Sequence, residues 1–199
     1  MRRYIAAALA AALVGLFGTG EASAFDLKSS EVKNGSKLTN RYVFNGFGCT
    51  GENHSPALAW NNPPAGTKSF VVTMYDPDAP TGSGWWHWVV ANIPATATGL
   101  PADAGKSGGP ALPAGAVQSR TDFGAPGYGG PCPPPGKPHR YIFTVRALKV
   151  DKIDVNADAS AALVGFMARA NALGTARMTL TASSRLFTRW SGGCRSGSR

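Results

Sequence analysis

The chain has 199 residues, with 20 Lys and Arg against 11 Asp and Glu, giving a formal net charge of +9. That length suits one domain with a proper core. The basic residues are scattered, with mild enrichment at Arg185, Arg189, Arg195 and Arg199, and with no basic helix or run a nucleic-acid partner is not expected.

The N-terminus reads as an export signal. Arg2 and Arg3 precede an apolar stretch over residues 4–17, followed by the small-residue triplet Ala22-Ser23-Ala24. That order predicts a signal peptide over 1–24, cleaved before Phe25. The apolar stretch is short for a bilayer, which takes about 20 residues. No later stretch is apolar enough to span, so the mature product is expected without a transmembrane segment, in the periplasm or secreted. Losing Arg2, Arg3 and Glu21 lowers the formal charge from +9 to +8.

The remainder, 25–190, reads as one β-rich domain, with a flexible tail over 191–199 (SGGCRSGSR). Residues 41–45 give a weak strand signal. Residues 68–75 (KSFVVTMY) give a strong one, with Phe70, Val72 and Met74 on one side and Val71, Thr73 and Tyr75 on the other, the pattern of a strand buried on both faces. Residues 85–93 (WWHWVVANI) and 140–148 (RYIFTVRAL) are the next strong strands, and 177–182 is a weaker one. Between Pro94 and Pro138 the chain is dominated by Gly, Pro and Ala, a long loop of the kind that carries function or moves. Residues 160–173 predict the one good helix, with Asp158 or Ser160 as N-cap and Gly174 as C-cap. Its Leu163, Phe166, Met167 and Ala170 are expected to pack into the core.

Two stiff polar loops leave strand ends. Asp76-Pro77-Asp78-Ala79-Pro80 precedes Trp86-His87-Trp88, and residues 130–136 (GPCPPPG) run into Pro138-His139-Arg140-Tyr141. Proline fixes φ, so such loops hold polar groups in place at small ordering cost. Alternation along an extended chain puts His139 and Tyr141 on one face, with Arg140 opposite. It also groups His87 with Trp85 and Val89, away from Trp86 and Trp88. Two imidazoles, a phenol and a carboxylate could then meet in an aromatic-walled pocket. Carboxylate plus imidazole also permits a metal on Asp76, Asp78, His87 and His139.

DPDAP, WxHW and GPCPPPGxPHRY, with GCTGENHSPALAW over residues 48–60, resemble the phosphatidylethanolamine-binding protein family. The bacterial branch, often called Raf kinase inhibitor-like, is the nearest likeness, running from about Tyr42 to Leu180. The resemblance implies a mainly β fold: a large antiparallel sheet packed on a smaller sheet, with one or two peripheral helices. It implies a pocket for phosphate-like anions, such as a phospholipid head group, made by Asp76, His87, His139 and Tyr141, with Gly130 and Pro131 as its backbone edge. It favours anions over metal and implies no cofactor. It leaves room for a protein target and a homodimer. Eukaryotic members close the pocket with a C-terminal helix carrying a tyrosine; the short polar stretch after Trp190 has no equivalent.

His87 and His139 can donate N–H bonds and Tyr141 an O–H, while Asp76 fixes one imidazole and favours its protonated form. A binding or inhibitor module is therefore expected, not an enzyme. The alternative is a hydrolase with Cys132 as nucleophile and His139 as base. Of Cys49, Cys132 and Cys194, at least one stays unpaired within a monomer. Export favours a disulfide, and the family architecture implies Cys49–Cys132, with Cys194 free or cross-linking two chains.

Overall fold

A computed structural model describes residues 24–106 and 112–184. The expected signal segment, Cys194 and the tail lie outside them.

Among the described residues the architecture is mainly β with one α-helix. The large sheet is antiparallel throughout, in the order β10 (Ala172–Ala182), β9 (His139–Leu148), β5 (Ser69–Asp76), β6 (Trp85–Pro94) and β8 (Val117–Gln118). A smaller sheet is built from β1 (Asp26–Lys28), β4 (Leu58–Asn61) and β7 (Gly99–Leu100), and β2 (Asn45–Gly46) pairs with β3 (Cys49–Thr50). The central strand β5 is apolar on both faces because both are covered. Phe70, Val72 and Met74 join Leu27, Leu58, Trp60 and Leu100 of the smaller sheet in the main core. Val71, Val89 and Ala91 face the other way, with Ala161, Val164 and Ala168 of helix α1 (Ala161–Ala170). Each fully buried large apolar side chain contributes about 1.5–3 kcal/mol.

Three sequence expectations need correction. Of residues 41–45 only Asn45 lies in a strand, at the start of β2: Asn40–Tyr42 is a 3-10 turn, with the Tyr42 and Val43 N–H groups donating to the Thr39 and Asn40 carbonyls. Helix α1 is capped by Ser160, whose hydroxyl accepts from the Leu163 N–H at 3.2 Å, but it ends at Asn171, well before Gly174. Its buried stripe is also not the expected one. Leu163 and Phe166 are 46% and 73% exposed, while Met167 alone of the expected set packs at the margin of the cluster beneath the helix. A sheet face already filled by Val71, Val89 and Leu148 leaves room only for the small side chains at 161, 164 and 168.

The 94–138 stretch is tied down by β7 and β8 and by loop hydrogen bonds, including Ala97 N–H to the Pro94 carbonyl and Tyr128 N–H to the Gly105 carbonyl. Strand β6 carries two breaks in register. One, against Phe70 and Val72, leaves Asn92 in the left-handed region at φ 58°. Its buried side chain takes the part of a neighbouring strand, accepting from the Ile153 N–H at 2.9 Å and donating to the Ile153 carbonyl at 3.2 Å. The other lies at the functional end of the sheet.

Candidate functional site

The ends of β5, β6 and β9 meet beneath the two proline-rich loops. The last β5–β9 pair is Tyr75 with Ile142, so continuing the register sets Asp76 across from Tyr141, with His139 on the same face of β9. The Asp76 Oδ2 lies 2.8 Å from His139 Nδ1, and its Oδ1 accepts from the Asp78 N–H at 2.8 Å. Both carboxylate oxygens are thereby engaged, and His139 Nδ1 carries the proton that faces the carboxylate. Burial, reinforced by the Asp76 charge, pushes the Tyr141 phenol far above its ordinary range, so it is an O–H donor at any ordinary pH.

His87 reaches the same place through a β-bulge. Met74 pairs with Trp88 and Tyr75 with Trp86, which leaves His87 as the extra residue on β6. Strict alternation fails here. His87 and Trp85 do share the cavity, but Val89 lies on the α1 face and Trp88 in the main core. The ring of His87 stands edge-on to Tyr141 at 5.1 Å and to Phe123 at 5.4 Å. Its Nδ1 lies 2.6 Å from the Gly129 carbonyl oxygen, and the Gly129 N–H donates back to the His87 carbonyl at 2.9 Å. A carbonyl can only accept, so Nδ1 holds the proton and the neutral ring presents a bare Nε2. Burial lowers the His87 pKa to about 4, so the ring is neutral at pH 7. The expectation that both imidazoles donate to an anion thus needs revision: His87 is an acceptor until a proton arrives.

Asp76, His87, His139 and Tyr141 line a cavity of about 210 Å³, with Phe47, Pro80, Thr81, Trp85, Phe123, Cys132, Pro133 and Pro134 among its walls. Gly130 and Pro131 are not among the residues lining the cavity, although the Gly130 backbone lies against the His87 ring. The Gly130 N–H donates to Asn53 Oδ1 at 2.7 Å, and the Pro131 carbonyl accepts from the Phe44 N–H at 3.1 Å. A Cβ on Gly130 would lie 2.1 Å from the Tyr42 carbonyl oxygen, so only glycine permits this approach. Cys49 and Cys132 are joined in a disulfide, with Cα atoms 6.0 Å apart. It fastens the cavity wall at Cys132 to the β2–β3 hairpin.

Asp78 does not join the cluster. It binds Arg140 through the backbone N–H, Nε and Nη2 at 2.7–2.9 Å, and the hydrogen bonds from the guanidinium hold its carboxyl down to about 2. The metal set of Asp76, Asp78, His87 and His139 is therefore not assembled. The residues that sequence reasoning missed are the aromatic ones. Phe47, 75% exposed and at φ 54°, and Phe123 stack at 5.8 Å to roof the mouth. A positive φ on a bulky side chain has no local sequence signal.

Comparison with known proteins identifies the family. Residues 28–183 match the family described as phosphatidylethanolamine-binding protein. The chain belongs to that family. It is 59% identical over 162 residues to the UPF0098 protein YbcL of Escherichia coli K12, covering 81% of this chain and 88% of that protein. It is 58% identical over 153 residues to YbhB of the same strain, covering 77% and 96%. The crystal structure of E. coli YbcL superimposes with a TM-score of 0.78 over 80% of this chain and 98% of that one. A homologue of the family from Chlamydia trachomatis, 28% identical, gives 0.66 over 79% and 96%.

Proposed function

We propose that this family member is an exported binding module that captures a phosphate-like group, from a small phosphorylated ligand or a phospholipid head group, together with one proton. The observation that carries the reading is the division of labour around one cavity. His139, backed by Asp76, can offer an Nε2–H as an imidazolium while the carboxylate balances its charge. Tyr141 offers an O–H. His87 offers a lone pair, which repels a dianion but accepts from a P–OH; equally, it can take the proton itself once the anion is in place. Where the free group is a dianion, either route brings into the cavity one proton that the dianion and a neutral His87 lack apart. The volume also limits the ligand. Pockets for drug-sized molecules run about 300–1,000 Å³, so a space of about 210 Å³ suits a head group and leaves any longer chain outside, against Phe47 and Phe123.

Binding without turnover is the reading because the nucleophiles are spent. The Cys132 sulfur is bonded to Cys49, and the Thr81 hydroxyl donates to the Gly84 carbonyl at 2.5 Å. Export to an oxidising compartment would keep the disulfide closed. The bound group could in turn regulate a protein partner.

Calorimetry with inorganic phosphate and phosphoethanolamine from pH 5.5 to 8.5 tests this. Affinity should fall as pH rises through about 6, where a phosphate monoester loses its second proton, and buffers of different ionisation enthalpy should reveal proton uptake. His139→Ala should weaken binding by about 1.5–3 kcal/mol, the scale of hydrogen bonds to charged groups. A pH-independent affinity, unchanged in His139→Ala, would place the ligand elsewhere.

A further inference from the structure

On the opposite side of the large sheet, three cations gather with no counter-ion among the described residues. Arg146 on β9 sits opposite Thr175 of β10 and Val71 of β5, on the face that carries α1. Arg177, paired with Thr144, lies one step along the same face, and Arg169 comes from the last turn of α1. Arg169 and Arg177 are exposed, while Arg146 is half-buried between them. Its Nη1 is buried and finds no hydrogen-bond partner. Burial, and the positive charges of Arg177 and Arg169, hold its guanidinium below the ordinary range.

The acidic residues do not relieve this. Among the described residues, the ion pairs of Asp26, Glu31, Glu52, Asp76, Asp78, Asp103 and Asp151 all go to other cations, and Asp122, Asp154 and Asp158 make none with these arginines. Like charges held together around a buried, unsatisfied donor cost free energy, and a guanidinium fork matches the oxygens of a tetrahedral anion. We propose that Arg146, Arg169 and Arg177 form a second oxyanion site, separate from the Asp76–His139 cavity, that takes a phosphate-type group. Arg146 is the floor of the site, and the two exposed arginines close on the anion from the rim. The group can come from a free phosphate or from a phospholipid head group in a bilayer. Phe166 and Leu163, exposed on the same helix, stand ready for the second source.

The test uses His139→Ala protein, so that binding in the cavity is weakened and is followed separately through the signals of its own residues. Inorganic phosphate is titrated against chloride at constant ionic strength, followed by amide and arginine side-chain NMR and by Tm. The expected result is a saturable shift of signals from 146, 169 and 177, with a rise in Tm that chloride does not give. Arg177→Gln, an exposed change that leaves the fold in place, should weaken this binding about tenfold. Sedimentation with phosphatidylglycerol and phosphatidylcholine vesicles separates the sources. Capture by the anionic vesicles alone, lost in Arg177→Gln and reduced in Phe166→Ser, assigns the head group. Shifts that never saturate or that chloride reproduces, together with vesicle binding unaffected by Arg177→Gln, would overturn the site and leave the cavity reading untouched.

Discussion

Acidification should destabilise this protein through His87, and His87→Gln should remove most of that response. The folded pKa is lowered to about 4 by burial, with the side chain only 4% exposed, against about 6.5 for an imidazole in an unfolded chain. Between those values the unfolded state binds a proton that the folded state refuses. Stability therefore rises with pH across the window, and is lost as pH falls from 6.5 through 4. The slope is about 1.4 kcal/mol per pH unit, which sums to roughly 3 kcal/mol across the window. For a domain of this size that corresponds to about 6–12 °C in Tm. Thermal or urea unfolding at pH 7.5 and 4.5, in buffers free of phosphate, reads it directly. Gln keeps an N–H for the Gly129 carbonyl but cannot titrate, and all other ionisable groups are common to both proteins. Wild type should lose about 3 kcal/mol more than the variant. Parallel pH profiles would show that the buried ring accepts its proton in the folded state, and the proton-coupled binding scheme would lose its basis.

The double change Cys49→Ser, Cys132→Ser opens a cross-link with a sequence separation of 83; the chain-entropy argument puts the loss at about 4 kcal/mol, visible as a lower urea midpoint under oxidising conditions. Asn92→Ala puts an alanine at φ 58° and strips both partners from Ile153, so unfolding should become easier by about 2–4 kcal/mol. N-terminal sequencing of protein recovered from the periplasm or medium should begin at Phe25; recovery of only the full-length chain with membranes would end the export reading.

The strong strands were legible because burial writes a pattern into them. The apolar side chains on both sides of residues 68–75 mark a strand covered on both faces, and both coverings exist. The smaller sheet was not legible: β1 and β7 have three and two residues, too few for any periodicity to register. Helix α1 was found but turned wrongly. Two apolar stripes compete along residues 161–170, and the bulkier one looks more core-like. Which one is buried depends on how much room the sheet leaves, which is a property of distant residues.

The site residues were read by resemblance and by alternation, and only the first reading places His87. On an unbroken β6 it would share a face with Val89, beneath α1. One extra residue between Trp86 and Trp88 turns its ring to the other side of the sheet. That bulge is held by backbone outside the strand. The Trp86 N–H donates to Asp122 Oδ2 at 2.7 Å, the Asp122 N–H donates to the Trp86 carbonyl at 3.1 Å, and Gly129 bonds both the main chain and the ring of His87. The loop over residues 121–130 is therefore what sets the tautomer of His87 and hence its role as acceptor. No pattern within β6 could reveal this, because the cause lies more than thirty residues downstream. It follows that changes in this loop, with the site side chains intact, should alter which charge state of a ligand the cavity accepts.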